Sequence, residues 1–170
     1  MAAEIKGQKN WKSYDLDDLR KVPLNHCRTP PDEIKKADTL EDAIEILTSI
    51  FGLTAGEEEK TLNTCVGDIS ILRSNLEHIV EKRQDARERY ANHALETVIY
   101  PYEVWITKYL NEEEKEEHRY VFISLYDSKR QMHVVVSIWD KNILWNFMHS
   151  DKKNLNKHRH GELIYQAFPE

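Results

Sequence analysis

Arg119-Tyr120-Val121-Phe122-Ile123-Ser124-Leu125-Tyr126, a turn at Asp127-Ser128-Lys129-Arg130, and then Met132 to Trp139 decide the fold of this chain. Both apolar runs are short, and the second is β-branched at its centre, Val134 to Val136. Residues of that kind fit a pleated, half-buried surface. Working outward, Asp140-Lys141-Asn142 reads as a tight hairpin turn and Ile143 to Met148 as the next strand. On the other side, Glu103-Val104-Trp105-Ile106-Thr107 reads as a strand, separated from Arg119 by the charged turn Asn111 to Glu117. Short turns between consecutive strands predict an antiparallel meander of four strands.

Upstream of Pro101 the period changes from two to that of a helix. Leu40, Ala43, Ile44, Leu47, Ile50 and Phe51 recur at helical spacing, with Thr39 placed to cap the start and Gly52 to end it. Thr61–Thr64 and Asp68–Leu72 read as two short strands around Val66-Gly67. A second helical pattern runs from Ser74 to Ile99, with Ala86, Tyr90, Ala94, Leu95 and Val98 on its buried side. Pro101 ends it. Helices first and strands afterwards predict an α+β domain, N-terminal helices packed on a four-stranded antiparallel sheet, over residues 39–170. Residues 1–38 hold Pro23, Pro30 and Pro31 among many charges and few apolar repeats. They read as a flexible charged arm.

The 170 residues carry a formal net charge of -6, which argues against a general nucleic-acid coat protein. No apolar run is long enough to span a membrane and no secretory leader is apparent. Cys27 and Cys65 form no disulfide framework, so the expected setting is a reducing cytoplasm. No P-loop or GxGxxG motif points to a nucleotide cofactor, and no cofactor is expected. His149, His158 and His160 invite a metal, but Lys152, Lys153 and Lys157 crowd the same stretch and would repel a cation, so none is expected.

What remains is proton transfer beside phosphate. The segment Asn154-Leu155-Asn156-Lys157-His158-Arg159-His160-Gly161-Glu162-Leu163-Ile164-Tyr165 concentrates cations on an acidic chain, and such groups suit a phosphate-bearing ligand. RNA cleavage needs a base for the 2′-OH, cations for the phosphorane and an acid for the leaving oxygen. The candidates are His78, with Arg83 and Arg87 beyond it; Arg119 and Tyr120 at a strand start; Asn146 beside Trp145; Lys157 and Arg159; and Tyr165. Each also has a plain structural role open to it. His78 can pack on the sheet, Arg83 and Arg87 can serve a charged helix face, Arg119 can pair with Glu116 or Glu117, and Tyr165 can be core. Trp105, Trp139 and Trp145 read first as core or sheet-face residues.

One ordered series of residues carries a resemblance. It runs through Gly67-Asp68-Ile69-Ser70-Ile71, Leu76-Glu77-His78-Ile79 with Arg83, and Thr97-Val98-Ile99-Tyr100-Pro101-Tyr102-Glu103-Val104-Trp105. It continues through Arg119-Tyr120-Val121-Phe122-Ile123, Val134 to Val136, and Leu155-Asn156-Lys157 with Arg159, Gly161, Leu163 and Tyr165. This resembles the phage-associated nuclease families of the barnase, EndoU, colicin and RelE fold group, the second of them most of all. The likeness implies helices on a four-stranded antiparallel sheet and metal-independent RNA cleavage, often in toxins or phage–host conflict. By the same likeness His78 would transfer protons, and Arg83 and Arg119 would bind phosphate. Asn156, Lys157 and Arg159 would hold the RNA backbone, Tyr165 would lend a hydroxyl, and Thr97 would be a helix-end residue or a phosphate contact. Expected partners are RNA, including tRNA, and a protein inhibitor or host protein. The alternative is an inactive RNA- or protein-binding module of the same fold.

Overall fold

The computed structural model describes residues 3–138 and 142–168. The four expected strands are present as β4 (Glu103–Leu110), β5 (Glu116–Ser124), β6 (Gln131–Ser137) and β7 (Ile143–Ser150), joined as an antiparallel meander. Trp139, Asp140 and Lys141, expected as a strand end and a hairpin turn, lie outside the described residues.

The sheet is wider than four strands. A hairpin of β2 (Glu59–Thr64) and β3 (Gly67–Leu72) attaches to β7 by one parallel pairing, Ser70 with Ile143. At the other edge, β1 (Ala3–Glu4) and β8 (Glu162–Gln166) both pair with β4, giving eight strands among the described residues. The β2–β3 hairpin matches the two short strands read at Thr61–Thr64 and Asp68–Leu72; β1 and β8 are long-range pairings of short segments that no local period announces.

Strand alternation splits the sheet into two faces. Val104, Phe122, Val134, Val136, Leu144 and Phe147 point to the first face and pack against α1 (Leu40–Ile50), α2 (Leu76–Val80) and α3 (Ala91–Ile99). Helix α1 starts where expected: Thr39 Oγ1 accepts from the Asp42 amide at 3.1 Å, a cap worth about 1 kcal/mol. The long helix expected from Ser74 to Ile99 is broken. Ala86 takes a left-handed conformation (φ 44°) between α2 and a 3₁₀ turn at Arg87–Tyr90. The break lets Arg83 turn back and donate to both oxygens of the fully buried Glu88, at 2.8 and 2.6 Å.

Trp105, Val121 and Ile123 point to the second face, where Leu19 and Leu155 cover them. Leu19 belongs to the segment expected to be a flexible arm. Residues 3–38 are instead laid against the sheet: Trp11, Tyr14, Leu16 and Val22 pack on the same cluster, and Arg28 joins Tyr126 in a parallel bridge. Sparse apolar residues suffice because 3₁₀ turns aim them one at a time. A domain of residues 39–170 alone would leave this face covered only by the tail around Leu155 and Leu163.

The tail also crosses here. Gly161 (φ +103°) passes so close to β4 that an added Cβ would stand 2.0 Å from the Ile106 carbonyl oxygen. Gly56 is also left-handed (φ +86°), with nothing within 4 Å of its missing Cβ. Gly161→Ala should therefore cost roughly 2–5 kcal/mol, positive-φ strain plus a backbone clash, and Gly56→Ala only about 1–2 kcal/mol. Urea unfolding midpoints of the two variants check the difference.

Candidate active site

The meander sets out the second face as rows of side chains. One row is Glu103, Ile123, His133 and Met148; the next is Trp105, Val121, Val135 and Asn146; the next is Thr107, Arg119 and Ser137. Val135 is half-buried although its row neighbours Trp105 and Val121 are buried.

The basic tail lies across these rows. Asp151 caps α4 (Lys152–Leu155), its carboxylate accepting from the Asn154 amide at 2.7 Å, and a 3₁₀ turn covers Asn156–His158. Leu155 is buried against Trp105 and Ile123. Arg159, expected to hold phosphate, is only 1% exposed. Its Nε and Nη2 donate to the two carboxylate oxygens of buried Glu103 at 2.7 and 2.8 Å. Its Nη1 donates to the Asp17 carbonyl and to Asn156 Oδ1 at 2.9 and 3.0 Å. Asn156 in turn accepts from the Leu19 amide and donates to Asp18. These two residues bind tail, arm and sheet to one another, and four of the five guanidinium N–H donors of this buried side chain are already taken.

The residues flanking Arg159 are differently placed. The His158 ring stacks on His133, centroids 4.1 Å apart. Burial holds the His158 pKa below its ordinary value, and Lys157 and His160 push the same way against an opposing pull from Glu4. Buried His133 is held well below the usual range for the same reason. His160 goes the other way. Its Nε2 lies 2.7 Å from Glu4 Oε2. Glu4 raises the His160 pKa and is itself lowered. Glu4 also accepts from the Tyr109 hydroxyl at 3.2 Å, and Arg119 lies 4.3 Å over the Tyr109 ring. The surroundings bias the imidazole at 158 toward its neutral form and the one at 160 toward its cationic form, with a guanidinium reached through Glu4 and Tyr109.

Of the other expected residues, Lys157 is exposed on this tail. Arg119 is on the face, donating to Glu117 at 2.8 Å. Asn146 is on it too, accepting from Arg87 at 2.7 Å. His78 stands at the β7 edge, its ring 5.0 Å from Trp145 and its Nδ1 3.5 Å from Glu81. It does not meet Arg159. Trp145 is in β7 and Glu103 in β4, three strand spacings apart, about 14 Å. Arg83, expected to bind phosphate, is taken up by Glu88 and by the Ala37 and Val80 carbonyls. Thr97 is fully buried, its hydroxyl donating to the His93 carbonyl. Tyr120 and Tyr165 pack on the helix-side core. Among the described residues no cluster of three or more histidine, cysteine or acidic groups is disposed to hold a metal ion.

A family model described as phage-Barnase-EndoU-ColicinE5/D-RelE like nuclease2 matches residues 47–166. The chain belongs to this family. Membership in the phage-Barnase-EndoU-ColicinE5/D-RelE like nuclease2 family supports a nuclease of that type. No curated protein and no solved structure matches the chain. The helices on an antiparallel sheet are consistent with a barnase-like fold, with more strands than the four expected. The arm carrying Glu4 precedes the matched region.

Sequence reasoning missed Glu4 and His133 and did not single out His158 and His160 as a pair with opposite pKa shifts. The His-x-His spacing was visible, and its two rings flank a buried side chain. Nothing in the sequence ties Glu4 to it. Arg159→Ala should lower stability by roughly 3–5 kcal/mol by stranding the buried Glu103 carboxylate, whereas Lys157→Ala should change it by less than about 0.5 kcal/mol. Thermal and denaturant unfolding of the two variants decides it.

Proposed function

We propose that the chain is a metal-independent endoribonuclease that cleaves RNA through attack of the 2′-OH, working on the second face of the sheet. The observation that carries this is the pair His158 and His160, shifted in opposite directions by burial and by Glu4. Neutral His158 takes the proton of the 2′-OH, and that oxygen attacks phosphorus. Lys157 and Arg119 offset the charge gathering on the phosphorane. Cationic His160, its Nε2 enclosed against Glu4, adds to that positive charge, and the departing 5′ oxygen takes a proton from solvent, leaving a 2′,3′-cyclic phosphate. Arg87 and Asn146, with His78 and Trp145 at the β7 edge, contact the flanking nucleotide. The setting is a reducing cytoplasm with Cys27 and Cys65 as thiols, in a toxin or phage–host conflict role with a protein inhibitor as partner.

The second reading is a binding module that keeps the fold without the reaction. What favours it is the occupation of Arg119 by Glu117 and Tyr109 on a chain of net charge -6.

Incubating the protein with mixed RNA in EDTA separates the two. Cleavage to cyclic-phosphate ends is expected, and intact RNA at high protein concentration overturns the enzyme. His158→Ala and His160→Ala should each lose roughly 10²–10⁴-fold in rate, and His78→Ala far less. The pH–rate profile should be a bell. Activity rises as His158 deprotonates below its ordinary 6.5 and falls as His160 deprotonates above it. Glu4→Gln should move both limbs to lower pH, the alkaline limb further because Glu4 contacts His160 directly.

A further inference from the structure

Beside His160 the arm and the tail enclose an open trough of about 1080 Å³. Lys6, Lys12 and Lys21 line it from the arm, and Lys153 and Lys157 from the tail. Three acidic residues also line it, Glu4, Asp17 and Asp18. Glu4 is engaged by His160, and Asp18 by Arg20 at 2.7 Å. Arg159, whose side chain also lines it, is neutralised by Glu103. Asp17 alone is then set against five lysines, on a chain whose overall charge is -6. All five lysines are exposed.

The trough walls are fixed. Gln8 ties the arm's first turn to β4, donating to the Lys108 carbonyl at 3.0 Å and accepting from the Lys108 amide at 2.8 Å. Asn10 caps the turn at Trp11–Tyr14. The Trp11 amide donates to the Arg159 carbonyl at 2.9 Å and the Gly161 amide to the Lys9 carbonyl at 2.6 Å. Lysines presented from a pinned backbone make a standing positive field and not a passing one. The space is larger than most pockets for single small ligands, about 300–1,000 Å³, and it is open along its length rather than closed around one molecule.

We infer that this trough takes the phosphodiester backbone of single-stranded RNA beyond the scissile bond, so that the arm, outside the family-matched residues 47–166, sets how long an RNA the chain grips. This rests on the proposed ribonuclease reading for the position of the scissile bond, but the grip itself does not need cleavage. Lysine ammonium groups suit it as point charges, tolerant of base sequence, so the contribution is to affinity and not to choice of base.

The test measures binding of a single-stranded oligonucleotide of 2′-O-methyl ribose, which has no attacking hydroxyl, to the full chain across a salt series. Lys6→Ala, Lys12→Ala, Lys21→Ala and Lys153→Ala are combined in one variant. A control removes the same charge elsewhere, at exposed Lys35, Lys36, Lys82 and Lys129. The trough variant should lose at least tenfold in affinity at low salt. Its slope of log K against log salt should become shallower by roughly 2–3, from about 0.7 for each lost contact to a single strand. The control should stay close to the parent slope. An unchanged slope in the trough variant, or equal loss in the control, overturns the inference. So does polyglutamate displacing the oligonucleotide as well as RNA does, which would mark the trough as a site for an acidic protein. If the parent chain cleaves RNA, the trough variant should keep its rate on a dinucleotide and lose it on long RNA; equal loss on both overturns the inference. Lysine-dependent binding by a chain that cleaves nothing keeps the trough and removes the enzyme.

Discussion

The buried pair of Glu103 and Arg159 is the contact on which the second face depends. Glu103 is the first residue of β4, and its carboxylate also accepts from the indole nitrogen of Trp105 at 3.0 Å. Two charges withdrawn from water are costly unless their remaining hydrogen-bonding capacity is filled. Here it is filled from three separate parts of the chain: the carbonyl of Asp17 in the arm, the amide oxygen of Asn156 in the tail, and the sheet itself. The interaction contributes less as raw stability than as a constraint, because the wrong register of any one partner would leave a bare charge inside.

From that constraint the placement of the flanking groups follows. With Arg159 pointing into the molecule, His158 and His160 on either side are turned elsewhere, one onto the flat of His133 and the other toward Glu4. One imidazole is desolvated and the other is beside a carboxylate, so one stretch of three residues holds two opposite protonation tendencies. The helices on the first face take no part in this. They bury the core and fix the sheet, and their own buried ion pair, Arg83 with Glu88, closes a helix break rather than a site.

Much of the scaffold was legible in the sequence. Thr39, the Leu40–Phe51 spacing and Gly52 marked α1, and β-branched runs between charged turns marked β4 to β7, because those signals act over a few residues. The family likeness was legible in an ordered series spread over the matched region. The arm, β1 and β8 were not, since β1 and β8 are short segments ordered by pairing with β4 and the arm is ordered by packing on the second face and by bonds to distant residues. Arg159 misled for the same reason. A charge surrounded by charges reads as surface until its partner, 56 residues away, is known. The reading of one helix to Ile99 failed at Ala86, a residue with good helical propensity held left-handed by tertiary packing. His78 was visible as a titratable group, but its distance from the tail was not.

The most direct measurement is a nuclear magnetic resonance titration of the imidazole carbons in the full chain, assigned with single histidine variants. The account predicts that His158 titrates below the ordinary histidine range and His160 above it. Coincident midpoints, or the reverse order, would contradict it.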